Sequence, residues 1–138
     1  MPQYLKPFRD MDTTTELEEL GWAQTQFDKL LLQSIDQALD DLLGERIRNQ
    51  IFDYLATNYH YGRDEIPQRI DEFYTFLENT FASASKTVGR TIIRRLFSNL
   101  GYEFVNVPGF GFFDYLDAAR GRFARDATSR KRAAPIRQ

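Results

Sequence analysis

The chain has 138 residues, 42% of them apolar, with twelve Phe, seven Tyr and a formal net charge of −2. That length suits one domain with a substantial aromatic core and argues against a disordered chain. It has no cysteine, which excludes disulfides, thiolate metal sites and thiol catalysis.

The opening Met-Pro-Gln-Tyr-Leu-Lys-Pro-Phe lacks a basic region followed by an apolar run, so it does not read as a secretory leader. No apolar stretch approaches the roughly 20 residues a bilayer span needs, so a soluble, cytoplasmic protein with no membrane contact is expected. Residues 1–12 hold two prolines and no period and read as an extended N-terminal arm. Thr13, Thr14 and Thr15 ahead of Glu16, Glu18 and Glu19 supply helix-start chemistry, and Gly21 is a candidate break.

A strong helical period follows. Phe27, Leu30, Leu31, Ser34, Ile35, Ala38, Leu39, Leu42 and Leu43 recur at helix spacing, and Gly44 marks the stop. Leu32 widens this stripe beyond what one neighbouring helix covers. A second helix is predicted from Glu45 to about Tyr59, with Ile47, Ile51, Tyr54, Leu55 and Asn58 on its face and Phe52 alongside. Residues 61–64 read as a turn, and Pro67 opens or precedes a third helix whose face is Ile66, Ile70, Phe73, Phe76, Leu77 and Phe81.

Ser83 or Ser85 is placed to cap a fourth helix with the stripe Ala84, Val88, Ile92, Ile93, Leu96, Phe97 and Leu100, ending at Gly101. Gly89 inside it disfavours helix by about 1 kcal/mol against Ala, which predicts close approach of another helix. Residues 102–105 read as a short extended piece and 106–109 as a turn. A last helix runs from Phe112 to about Phe123, with Phe113, Leu116 and Phe123 inward. The expected fold is all-α: a bundle of four to five helices over residues 13–124, with the flexible basic tail 125–138 disordered.

The motifs Ile51-Phe52-x-Tyr54-Leu55, Asp64-Glu65-Ile66-Pro67-x-Arg69, Glu72-Phe73 and Leu77-Glu78-x-x-Phe81 occur in this order. They continue as Ile92-Ile93-x-x-Leu96-Phe97, Leu100-Gly101-Tyr102-x-Phe104, Phe113-x-Tyr115-Leu116 and Ala118-Ala119-Arg120. In these, residues 43–123 resemble the archaeal family called Nitrosopumilus output domain, type five. The family usually carries a glycine around positions 82–83, where this chain has Ala82-Ser83. The resemblance implies a helical module of archaeal signalling proteins, working in the cytoplasm of an ammonia-oxidising or related archaeon, with no established chemistry and no site residues to carry over.

No enzyme site assembles from the residues, and no cofactor or metal is expected. His60, the single histidine, lies between Tyr59 and Tyr61 at a helix end without a nucleophile elbow anywhere in the chain. Asp36, Asp40 and Asp41 lack the Glu-x-x-His partners of bundle metal sites and read as a solvated face. Gly109-Phe110-Gly111-Phe112-Phe113 lacks the Lys and Ser/Thr of a phosphate loop, so it reads as an aromatic loop docked on the bundle, or as a binding patch if Phe110 and Phe112 are exposed. Glu103 and Asp114 are the one carboxylate pair worth inspecting.

Two association surfaces remain. The wide apolar face of Phe27, Leu30, Leu31, Leu32, Ile35 and Leu39 predicts a non-enzymatic regulatory module that pairs with its own copy or another protein. The alternative is a nucleic-acid-binding regulator. Residues 1–119 carry 11 basic and 19 acidic residues, a net −8, whereas 120–138 carry seven basic residues and one acid. Arg130, Lys131 and Arg132 in that tail, with the ridge Lys86, Arg90, Arg94 and Arg95 on the fourth helix, can grip a polyanion. The acidic body opposes such a ligand and favours salt pairing of the ridge with the acidic helix of residues 28–45.

Overall fold

A computed structural model describes the backbone of residues 2–136 and the side chains of residues 21–127. Five helices form: α1 Pro2–Leu43, α2 Glu45–Asn58, α3 Ile70–Phe81, α4 Ser85–Leu100 and α5 Phe112–Ile136. Short 3₁₀ segments, Arg63–Arg69 and Ala82–Ala84, precede α3 and α4. The fold is all-α, and no strand occurs among the described residues.

The boundaries follow local chemistry. At Gly44, with φ +90°, α1 gives way to α2. At the other end of α4, Gly101 takes the left-handed conformation and Tyr102 N–H donates to the Phe97 carbonyl at 2.8 Å, the six-to-one bond that closes a helix C-terminus. Pro67 lies within the 3₁₀ segment, not at the start of the α-helix; there Gly62 N–H donates to Glu65 Oε1 and Glu65 N–H to the Gly62 carbonyl. Ser85 opens α4, but its hydroxyl donates backward to the Ala82 carbonyl at 2.7 Å and caps no helix N–H.

α1 is the central element, packed by α2, the 3₁₀ segment before α3, α4 and α5. That surround explains the width of its apolar stripe. Phe27, Leu31, Ile35, Ala38 and Leu39 are fully buried, joined by Ile51, Phe52 and Leu55 of α2, Phe73 and Leu77 of α3, and Ile92, Ile93 and Leu96 of α4. α1 also runs unbroken through Gly21, where a break is expected from sequence. Residues 2–12 of the expected arm fall on the backbone of α1, and 125–136 of the expected tail on that of α5; the side chains of 2–12 and 128–136 lie outside the described residues.

Polar ties fix how α4 lies on α1. Ser34, buried, donates to its own Leu30 carbonyl at 2.7 Å and accepts from Asn99 Nδ2 of α4 at 2.9 Å; the same nitrogen donates to Gln37 Oε1 at 3.1 Å. Arg95 of α4 pairs with Asp41, and Arg63 with Asp36, while Arg48 lies 3.8 Å from Asp40. The acidic face of α1 is therefore paired with arginines and is not simply solvated.

α2 departs from its sequence reading. It buries Ile51, Phe52 and Leu55, whereas Ile47 is exposed and Tyr54 is covered only in part, by the Phe76 ring of α3 at a centroid distance of 5.7 Å. In α5 the buried set is Phe112, Tyr115, Leu116 and Ala119, with Phe113 and Phe123 half-buried, so the inward stripe sits one residue earlier than expected at the helix start.

Candidate functional site

α4 contains four cations and no acidic residue. Its sequence SKTVGRTIIRRLFSNL turns Val88, Ile92, Ile93 and Leu96 into the core, which forces Lys86, Arg90 and Arg94 outward at four-residue steps. At 1.5 Å of rise per residue the steps are about 6 Å along the axis. Arg95 leaves the ridge to pair with Asp41, as salt pairing with α1 predicts. The other three take a different course. Among the described residues no carboxylate oxygen lies within 4.0 Å of their nitrogens. Arg90 Nη1 donates to Asn106 Oδ1 at 3.1 Å, and the Arg94 guanidinium lies 5.4 Å from the centre of the Phe104 ring. Both partners are neutral, so they orient the guanidinium groups without cancelling their charge.

Beside this ridge the loop 102–111 closes an aromatic groove of about 360 Å³. Its lining includes Tyr74, Lys86, Arg90, Phe104, Phe110 and Phe112, and among the described residues no carboxylate contributes to it. Lys86 and Arg90 also line an adjoining shallow strip with Thr87, Thr91 and Arg94, so ridge and groove are one continuous surface.

The loop is shaped by its turn and by one tyrosine. Pro108 and Gly109 occupy the middle of a turn in which Phe110 N–H donates to the Val107 carbonyl at 3.1 Å. Gly109 has φ +87°, the conformation that the third residue of such a turn requires and a side chain resists. Tyr115 of α5 grips the loop twice: Val107 N–H donates to its hydroxyl oxygen at 2.8 Å, and the hydroxyl donates to the Val107 carbonyl at 3.2 Å. The Tyr115 ring meets Phe104 and Phe110 at centroid distances of 5.2 and 5.1 Å. Next, Gly111 N–H donates to Asp114 Oδ2 at 2.8 Å, which starts α5. Phe110 is left 41% exposed, while Phe112 is buried.

The far wall depends on Gly89. A Cβ there would stand 2.9 Å from Tyr74 Cε1 and 3.3 Å from Phe112 Cδ1. The close approach expected at this glycine is real, but it is made by two side chains, not by a helix backbone. Tyr74 stacks on Phe112 with centroids 4.6 Å apart and planes 14° from parallel. Burial, reinforced by the charge of Glu78, raises the Tyr74 hydroxyl above its ordinary pKa, so it stays neutral at physiological pH.

The remaining sequence candidates fall elsewhere. Phe27, Leu31, Ile35 and Leu39 are consumed by the chain's own core, and Leu30 and Leu32 are half-buried against it. Four of the six thus serve the four elements wrapped around α1, and Leu30 and Leu32 keep part of their surface exposed. Asp114 is used as a helix cap and Glu103 is exposed, and no hydrogen bond or ion pair joins them among the described residues. His60 is exposed in the left-handed region, φ 63°, just past the end of α2. Arg130, Lys131 and Arg132 lie outside the described residues. No group of three or more metal-binding side chains occurs among the described residues, and no helix there is long and apolar enough to cross a membrane.

Sequence reasoning found the ridge and noted Phe110 but missed Tyr74 and Phe104. These lie 12 and 18 residues from Lys86 in the chain, and only the tertiary fold joins them. The absence of any acid from α4, together with a glycine between Lys86 and Arg90, is the signal that points there. Compared with family models, with curated proteins and with solved structures, the chain matches none. The resemblance to the Nitrosopumilus output domain family therefore rests on the motifs quoted above.

Proposed function

We propose that this protein is a binding module without chemistry of its own, and that it acts by associating with a polyanionic partner along the outer face of α4. The observation that carries the reading is the row Lys86, Arg90 and Arg94, which no carboxylate of the described residues approaches within 4.0 Å while neutral side chains orient two of them. Surface cations near carboxylates normally pair with them, as Arg95 does here with Asp41. Three cations in register, unpaired among the described residues, attract an anion from solution and release its counterions on contact. The regulatory, cytoplasmic role implied by the family resemblance is part of the proposal and is supported by those motifs alone. Pairing with a second copy is the less favoured reading, since Phe27, Leu31, Ile35 and Leu39 of the apolar stripe are buried within the chain while Leu42 stays exposed.

Retention of the full chain on immobilised heparin, developed with a salt gradient, tests the reading. The wild-type protein is expected to bind at low salt, and K86A/R90A/R94A to elute markedly earlier with an unchanged helical circular-dichroism spectrum. The variant leaves the basic residues after 127 intact. Equal elution of the two proteins, or passage of the wild type straight through, refutes the proposal.

A further inference from the structure

The surface that meets the anion also carries flat rings, and this narrows the partner. Resting on the reading of α4 as the polyanion face, we infer that the occupant is a single-stranded nucleic acid. Its phosphates follow Lys86, Arg90 and Arg94, and a base enters the groove against Phe110 and Tyr74.

Lys86 and Arg90 border both the groove and the cationic strip, so a ligand held by the strip reaches the groove without crossing other surface. The groove's volume of about 360 Å³ lies at the low end of the 300–1,000 Å³ range of ligand pockets, a size for one ring system and not for a folded segment. Its walls are ring faces and edges. Phe110 stands 41% exposed between Gly109 and Gly111, which have no side chains to cover it. An exposed aromatic ring beside a row of cations is the arrangement by which proteins hold unpaired strands, with bases stacked on rings and the backbone tracked by positive charge. Cations at steps of about 6 Å suit successive phosphates of an extended strand. A duplex keeps its bases stacked inside and has none to offer the groove. An acidic peptide has the charge but no flat ring on every residue, so the groove would add little to its binding.

The test is fluorescence anisotropy of the full chain with a short labelled oligothymidylate. The same strand annealed to its complement serves as the duplex arm, and polyphosphate and polyglutamate serve as unlabelled competitors. The single strand is expected to bind tightest. Phe110→Ala should weaken it by about 5- to 150-fold, the worth of one stacked base, and leave heparin elution unchanged. Because Phe110 is a partly exposed loop residue, the variant retains the helical spectrum. K86A/R90A/R94A should lower the slope of log affinity against log salt by about 2, from three lost phosphate contacts at about 0.7 each. The inference is overturned if polyphosphate or polyglutamate competes as well as unlabelled oligonucleotide, if the duplex binds equally, or if Phe110→Ala binds the strand like wild type. Those results leave the polyanion reading standing when heparin retention persists; loss of heparin retention strikes the polyanion reading itself.

Discussion

Replacing Gly89 by alanine sets two known effects against each other. In an ordinary helix interior the change favours folding by about 1 kcal/mol, through backbone entropy. Here the new methyl group would lie 2.9 Å from Tyr74 Cε1, 3.3 Å from Tyr74 Oη and 3.3 Å from Phe112 Cδ1. The Tyr74 ring has little room to withdraw, since it stacks on Phe112 at 4.6 Å and meets the Phe113 ring edge-on at 5.4 Å. Overpacking of this kind opposes folding by about 1–3 kcal/mol. The clash wins, and Gly89→Ala should lose about 1 kcal/mol, a drop of roughly 4 °C in melting temperature for a chain of this length. The diagnosis has a sharper form in a Tyr74→Ala background. Removing the ring abolishes two of the three contacts, so the same Gly89→Ala change should now stabilise, by about 0.5–1 kcal/mol. Urea unfolding followed by circular dichroism on the four proteins of this cycle gives both signs. If Gly89→Ala is as stable as wild type or more so when Tyr74 is present, the close-packed wall of the groove has been misread.

Three further outcomes are expected. Ala82 has φ +52° and ψ −125°, a backbone region that glycine enters freely; Ala82→Gly should relieve about 1–3 kcal/mol of strain, forfeit about 0.5–1 kcal/mol in chain entropy, and raise urea stability by about 1 kcal/mol. Tyr115→Phe removes both hydroxyl bonds to Val107, and should cost about 1–2 kcal/mol and speed amide hydrogen exchange at Val107 and Phe110 while the core of α4 stays protected. Burial, opposed by the hydrogen bond from Gln68 and the charge of Arg120, raises the Asp28 carboxyl above its ordinary pKa. The folded state therefore binds this proton more tightly than the unfolded one, and stability declines as pH climbs from the ordinary carboxylate value through the raised one. Asp28→Asn should accordingly gain more melting temperature over wild type near about pH 7 than near about pH 3.

The chain's own pattern carried much of this architecture. The ends of α1 and α4 follow from Gly44 and Gly101, and the stripe of Val88, Ile92, Ile93 and Leu96 is inward as its spacing predicts. The stripe on α1 shows the limit of such reasoning. Periodicity measures how wide an apolar face is and is silent about what covers it; here α2, α4, α5 and a 3₁₀ segment do so from within the chain. The exposed Ile47 and Tyr54 are the converse, residues at core spacing on a side of α2 that the chain covers only in part, through Phe76 of α3 against Tyr54. The ridge on α4 was legible because charge and helical spacing are local properties. Its division was not: Arg95 finds Asp41 54 residues away, whereas Arg94 lies against the Phe104 ring, and both outcomes depend on long-range packing.

The amide of Asn99 has a bearing on how uniquely the two longest-packed helices meet. Greasy seams tolerate sliding, because one leucine-sized knob fits the next hole nearly as well as its own. Asn99 reaches two oxygens on α1, those of Ser34 and Gln37, one helical turn apart. Slip α4 by a turn in either direction and Leu30 or Ala38 takes the place of Ser34, so at least one of the two bonds is lost, a penalty of about 1 kcal/mol against the misaligned alternatives. A single half-buried amide thus acts as a detent, holding Lys86, Arg90 and Arg94 at one fixed height beside the loop that forms the groove.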